Sequence, residues 1–417
     1  MRTPALLTAA LLASLTTTAP AAPAASTVLD GSGECTYPAK PIKGTPWALQ
    51  RILLDQLWQD TRGRDPQGHP VRVAVIDTGV DVTNPQLKDA VDAKSGVDLL
   101  SGANDAGKGP TVDPVGHGTK VAGIIAARPA PTGGFVGIAP ESVVIPIRQN
   151  DERGSGTSRT LAEGIKQAVA AGARVINISQ DTAVPLRPDS DLERAVADAL
   201  AHDVVVVASA GNDGADGRSK PTYPAAYPGV LAVGASDRNN ERAPFSQSGD
   251  FIGVAAPGVD MVSTVPGGGH CVDHGTSFSA PYVTGVAALI RAKHPDWKQN
   301  QVVAQIEQTA ERVSATRDRY IGWGVVDPVR ALTEDDRPLD RVTVPEGPAH
   351  RVAAPEPAPL ALGETPQERQ VRLATYALGG TALLVAVIAG SAVVVRDHRG
   401  HRDPNRRNRP SGAGGTA

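Results

Sequence analysis

The sequence predicts an α/β protein with a mostly parallel central sheet, helices on both faces and one further helix near the C-terminus suited to a membrane. Three observations carry this. From Val71 onward, short β-branched runs alternate with helical segments. Those runs are near-continuously apolar, as suits strands buried on both faces. Residues 373–395 hold no charged side chain over 23 positions, and roughly 20 apolar residues span a bilayer.

Taken in chain order, residues 1–25 read as a secretory signal. They hold one charge, Arg2, then an apolar run over 5–15, then small residues up to Pro23-Ala24-Ala25. The run is too short to cross a membrane. Residues 26–70 form an N-terminal extension, and 71–336 the globular domain. Within that domain the expected strands are 71–76, 143–147, 174–178, 204–208 and 230–233. The expected helices are 161–171, 192–202, 279–293 and 300–309. Residues 337–372 make a proline-rich stalk, from Pro338 to Pro366, of the kind that favours extended chain. After the membrane helix, the tail 396–417 carries Arg396, Arg399, Arg402, Arg406, Arg407 and Arg409 against Asp397 and Asp403. Basic residues prefer the cytoplasmic side. The expected location is therefore the cell membrane, single-pass, with everything before residue 373 outside and the tail in the cytoplasm.

Composition narrows the function. With 41% apolar and 20% charged residues, wholesale disorder is excluded. A net charge of −3 lacks the dense basic field of a nucleic-acid binder, and 4 Phe, 4 Trp and 6 Tyr give little to stack bases on. No nucleic-acid partner is expected. Cys35 and Cys271 lie in the exported part, where oxidation is favoured, and one disulfide is expected, although spacing alone does not bring them within reach. The run His270-Cys271-Val272-Asp273-His274 admits a zinc reading, but one Cys and two His on an irregular stretch is a weak ligand set. No metal site is expected, and no compact run of carboxylates identifies a calcium site, so calcium is left open.

Sites in parallel sheets form where strands end and helices begin. Three segments stand at such junctions. An apolar strand ends on Asp77-Thr78-Gly79; Gly116-His117-Gly118-Thr119 opens a small apolar helix; and Gly275-Thr276-Ser277-Phe278-Ser279-Ala280-Pro281 opens another. Each alone has a plainer use, as turn, loop or cap. Together they supply a carboxylate, an imidazole and a hydroxyl. A serine hydroxyl becomes a nucleophile only when a base takes its proton, and the base needs a partner that fixes its tautomer. A fourth segment, Ala210-Gly211-Asn212-Asp213-Gly214, offers an amide that suits the oxygen anion of an attacked carbonyl.

From Val71 to Leu332 these motifs, in this order, resemble the subtilisin-like serine proteases. The resemblance implies the three-layer subtilisin-like fold and peptide-bond hydrolysis through an acyl-enzyme. Ser277 would be the nucleophile, His117 the general base and acid, Asp77 the orienting carboxylate, and Asn212 an oxyanion donor. His274, three residues before Ser277, lacks the flanking glycines and is read as loop. Gly154-Ser155-Gly156 resembles the edge strand that pairs with extended substrate, so Ser155 and Gly156 are expected to bind it. Asn177-Ile178-Ser179 resembles the start of the specificity wall, which makes Ser179 another substrate contact. There Gln180-Asp181 replace the apolar residue and glycine of many members. The frame of signal, short extension, protease, stalk, membrane helix and basic tail resembles the mycosins, the anchored subtilases of type VII secretion. That resemblance implies polypeptide substrates, no cofactor, association with a secretion complex, and an extension that wraps the domain, tethered by Cys35–Cys271 near Ser277. A mainly structural part of such a complex, and a general cell-surface subtilisin, are the alternatives.

Overall fold

The computed structural model of the chain describes residues 35–100, 109–131, 133–151, 153–182, 189–312, 314, 316–342 and 364–400. The expected signal, most of the stalk and the tail from 401 lie outside the described residues. The chain divides into two compact units, Met1–Pro345 and Glu346–Ala417.

In the first unit, β1 (Arg72–Asp77) shows why the sheet is central. Val73 and Val75 enter one apolar cluster, Ala74 and Ile76 another, and all four are fully buried. Side chains alternate across a strand, so a continuous apolar run supplies two cores. The strands β2 (Val97–Asp98), β3 (Val143–Arg148), β4 (Val175–Ile178), β5 (Val205–Ser209), β6 (Leu231–Ser236) and β7 (Ile252–Pro257) complete a seven-stranded parallel sheet of order β2-β3-β1-β4-β5-β6-β7. A separate antiparallel hairpin pairs β8 (Met261–Thr264) with β9 (His270–Asp273).

The helices are α1 (Trp47–Gln50), α2 (Leu54–Leu57), α3 (His117–Ala126), α4 (Ser158–Ala170), α5 (Asp191–Ala201), α6 (Thr276–Lys293), α7 (Gln299–Thr309) and α8 (Pro328–Thr333). α4 and α5 cover one face of the sheet through Leu161, Ile165, Leu192 and Val196. On the other face pack α3, α6 and α7, through Val121, Ile125, Val286 and Ile306. This is the expected three-layer arrangement. The five expected strands and four expected helices are all present, shifted by a few residues at their ends. β2, β7, β8 and β9 were not foreseen. β7 reads Ile-Gly-Val-Ala-Ala-Pro, whose small residues and closing proline give little strand signal.

The described part of the extension packs against this unit. Tyr37 Oη donates to the carbonyl of Val115 at 2.9 Å, Trp47 Nε1 to Val259 at 2.9 Å and Trp58 Nε1 to Ile138 at 2.9 Å. His270, buried, accepts at Nδ1 from the Ile42 N–H (3.0 Å) and donates from Nε2 to Gln86 Oε1 (2.6 Å). This bond pattern requires the neutral ring, and burial holds its pKa below the ordinary histidine value. Cys35 and Cys271 come together, with Cα atoms 6.1 Å apart, a bonded pair's separation. Cys271 and His270, two of the three groups of the zinc reading, are thus committed to other partners.

The second unit contains α9 (Pro366–Gly400). It is long and apolar enough to cross a membrane, with mean hydropathy 2.3 in its most apolar stretch. It starts inside the expected stalk, at 366 in place of 373. Thr365 explains the early start. Its N–H donates to Glu368 Oε2 (2.9 Å), and the Glu368 N–H donates back to Thr365 Oγ1 (3.2 Å). That reciprocal cap, with Pro366 at the first helical position, fixes the end.

Candidate active site

Asp77 ends β1, the strand on either side of which the sheet order runs in opposite chain directions, and the site gathers at the carboxyl ends of the strands. His117 opens α3. Its Nδ1 donates to Asp77 Oδ1 at 2.7 Å. The histidine side chain is 28% exposed and the aspartate 3%, so the imidazole is reachable from solvent while its partner is not. Burial pulls the His117 pKa down, but the Asp77 carboxylate pushes it up further, and the net shift is upward.

A buried carboxylate missing from the sequence reading holds this pair in place. Asp113 Oδ1 accepts from Thr78 Oγ1 (2.7 Å) and from the Gly116 N–H (2.7 Å); its Oδ2 accepts from the N–H (2.8 Å) and Oγ1 (2.6 Å) of Thr119. Thr78 Oγ1 in turn accepts from the Gly118 N–H at 3.0 Å, and the Thr78 N–H donates to Asp77 Oδ1 at 2.8 Å. The residues on both sides of His117 are therefore tied to the residue after Asp77. Burial raises the Asp113 pKa, against the pull of those bonds. Four donors facing two oxygens still require the ionised form. The signal in sequence was an aspartate just before a helix start, which reads equally well as a cap.

Gly116 precedes α3 with φ 83°, and a Cβ there would lie 2.5 Å from Tyr37 Oη. The extension thus closes directly over the residue before His117. His274, the rival histidine, is exposed and stacks at a tilt against Phe245, with ring centroids 5.9 Å apart.

Ser277 is the second residue of α6 and is half-buried. Phe278, next to it, places its ring 5.5 Å from the His117 ring, which sets the imidazole against the first turn of α6. Pro281 inside the helix has no N–H for the carbonyl four residues back, that of Ser277. Ser179 takes its place, donating its hydroxyl to the Ser277 carbonyl at 2.8 Å. Behind it, Asn177 Nδ2 donates to Ser179 Oγ (2.8 Å), and Thr284 Oγ1 to Asn177 Oδ1 (2.9 Å). Ser179 is buried, so its side chain holds the backbone of Ser277 and does not line the expected specificity wall.

Asn212 Oδ1 accepts from the N–H (2.9 Å) and Oγ1 (3.0 Å) of Thr276, which turns its NH₂ away from that residue. Asn212 Nδ2 and the Ser277 backbone N lie 3.4 Å and 3.7 Å from one point, the place a Cβ on Gly275 would occupy. Gly275 has φ 148°, and its lack of a side chain keeps that point open between two donors.

Ser155 and Gly156 line a cavity of about 300 Å³ with Gln149, Gln180, Asp181 and Thr182. They do not form the expected edge strand. Asp151 Oδ1 accepts from the Ser155 N–H (2.9 Å), the Ser155 carbonyl accepts from the Asp151 N–H (2.9 Å), and Asn150 Nδ2 donates to the Gly154 carbonyl (2.7 Å). These bonds fold the segment into a turn before α4. A larger cavity of about 650 Å³ lies between the extension and β8–β9, away from all these groups. Among the described residues, no three His, Cys, Asp or Glu side chains are grouped to hold a metal.

The sequence profile of the subtilase family matches residues 68–324. Subtilisin Savinase of Lederbergia lenta is 36% identical over 285 residues, 68% of this chain and 97% of that protein. A thermophilic serine proteinase of a Bacillus species (strain AK1) is 38% identical over 293 residues, 70% of this chain and 68% of that protein. Among solved structures, the MycP3 protease from the type VII (ESX-3) secretion system matches with TM-score 0.62 and 35% identity, over 71% of this chain and 92% of that one. MycP1 from Mycobacterium smegmatis matches with TM-score 0.62 and 31% identity, over 79% and 92%. With the family profile covering most of the chain and the fold shared with these proteases, the chain belongs to the subtilase family of serine proteases.

Proposed function

We propose that this chain is a membrane-anchored endopeptidase whose catalytic unit lies outside the cytoplasm, working beside a type VII secretion complex. The observation that carries the chemistry is the 2.7 Å bond from His117 to a buried Asp77, set against the turn that bears Ser277. With Nδ1–H committed to Asp77, Nε2 of His117 is the free base. It takes the Ser277 proton as Oγ attacks a peptide carbonyl, and Asp77 stabilises the imidazolium that forms. The oxygen anion settles between Asn212 Nδ2 and the Ser277 N–H. His117 then passes its proton to the departing amine, leaving an acyl-enzyme. Water, deprotonated by the same ring, releases the product.

Anchoring rests on the apolar α9 and the arginines beyond it, and export on the apolar N-terminal stretch. The paired positions of Cys35 and Cys271 support a disulfide that fastens the extension to β9, a few residues from Ser277. The secretion setting rests on the likeness to MycP3 and MycP1.

A fluorophosphonate probe on the full chain in membranes should label the wild type and spare Ser277→Ala; an unlabelled wild type would sink the reading. A second reading, a mainly structural part of the secretion machinery, is favoured by MycP1 being described as an essential component of its system. Secretion that survives Ser277→Ala but is lost on deletion of the whole chain would favour it.

A further inference from the structure

The approximately 300 Å³ cavity is lined on one side by the stretch of chain that follows Ser179. On one wall, Ser179 holds the Ser277 carbonyl, and the chain continues through Gln180 and Asp181 into the cavity. On the other, Asp181 Oδ2 lies over the turn before Asn212, 2.7 Å from where a Cβ on Gly211 would sit. The residue that follows the Ser277 anchor by two positions therefore reaches across to the residue that precedes the oxyanion amide. The Asp181 carboxylate thus stands over the residue next in the chain to Asn212, whose amide converges with the Ser277 N–H.

The lining is polar, with Gln149, Ser155, Gln180, Thr182 and the Tyr223 ring around it, and Asp181 is the one charged side chain among its described lining residues. Asp181 is open to solvent and, among the described residues, makes no ion pair. Its carboxyl is raised to about 6, first because the protein around it removes part of its water and second by the neighbouring charge of Asp213. At neutral pH the mouth of the cavity holds a carboxylate. A cation entering there gains a partner, whereas an acidic side chain meets a like charge.

We propose that Asp181 is a specificity-determining residue, and that it makes this cavity receive a lysine or arginine side chain on the acyl side of the cleaved bond. The inference rests on the proteolytic reading above. A long amphipathic side chain suits the site, since its methylene stem can lie along Leu161 and Tyr223 while the charged head meets Asp181.

The test uses the full chain in detergent and fluorogenic peptides identical except for the residue before the scissile bond, Lys, Leu or Glu. For the wild type, kcat/KM should rank Lys above Leu above Glu. Asp181→Asn should reduce the Lys-to-Glu ratio by about tenfold or more, and Asp181→Lys should invert it. A ratio unmoved by both variants, each shown folded by its thermal transition, overturns the assignment. Fluorophosphonate labelling of the wild type separates the two levels. Labelling with a flat peptide preference overturns only the role of Asp181, while an unlabelled, inactive wild type overturns the proteolytic reading and this inference with it.

Discussion

Replacing Asp113 by asparagine tests whether the buried carboxylate before α3 organises the site. Asn keeps one acceptor oxygen and turns the other into a donor. If the oxygen stays on Thr78 and Gly116, the new NH₂ faces the N–H and hydroxyl of Thr119, which donate at 2.8 Å and 2.6 Å in the native protein. Two charge-assisted bonds are lost, at roughly 1.5 kcal/mol each, and the Thr119 N–H stays buried without an acceptor. The expected destabilisation is about 3 kcal/mol, which for a domain of this size corresponds to a fall of roughly 6–12 °C in the midpoint. Heating the full chain in steps and reading the remaining fluorophosphonate labelling gives that midpoint directly. Turnover should fall too, because Thr78 and Gly116 lose their common anchor and the Asp77–His117 pair loses its fixed spacing. A midpoint within about 2 °C of the wild type would refute the claim that these four bonds hold the site together.

Other outcomes follow from the same geometry. Asn212→Ala should lower kcat by about 10²–10³ with KM little changed, the loss known for the equivalent donor in subtilisin, which is the reference case for this effect. Because Asp77 holds the His117 pKa above its ordinary 6.5, activity should rise with pH through an acid limb centred above 6.5. Asp77→Asn should move that limb down and cut kcat by roughly 10⁴. Glu307 is raised from 4.5 to about 7 by burial, with Arg317 pulling the other way. The folded chain keeps a proton that the unfolded chain releases, so stability falls as pH rises from 4.5 to 7. Glu307→Gln should remove that loss, and the unfolding free energies of variant and wild type, taken from urea titrations, should separate between pH 5 and pH 8 by at most about 3 kcal/mol. His270 is held neutral, so its contribution is complete above the unfolded value of 6.5 and declines as pH falls below it. Amide exchange at Ile42, corrected for intrinsic rate, should be faster at pH 5 than at pH 7.

Much of this was legible in sequence because it depends on local pattern. β1 and β3 to β6 are β-branched runs that can only lie in a two-sided core, and Asp77, His117, Asn212 and Ser277 each stand beside a glycine or at an element end. What was not legible depends on contacts between distant segments. Ser179 reads as pocket wall by its position in the motif, and only the fold shows that Pro281, 102 positions later, strips the Ser277 carbonyl of its helical donor and leaves it to Ser179. Asp113 looks like a cap until Thr78 and Thr119 are seen converging on it. The edge strand at Gly154–Gly156 failed for a local reason: Asp151 captures the backbone groups that an open edge would have presented.

The extension bears on regulation through where it sits. A removable inhibitor of a protease must cover the substrate cleft. Here the extension meets Val115 and Gly116 through Tyr37, the β8–β9 hairpin through His270, and Val259 and Ile138 through Trp47 and Trp58. The cavity that holds Asp181 is lined by residues between Gln149 and Tyr223, none of them from the extension. The described part of the extension, from residue 35, therefore braces the start of α3 from outside and lines no part of that cavity. Tyr37 closes over Gly116 while Asp113 grips the same residue's N–H from within, so the backbone that aims His117 is clamped on both sides. Stripping the extension from such a protein should loosen the histidine and not unblock it, which makes loss of turnover, rather than its release, the consequence that the geometry implies.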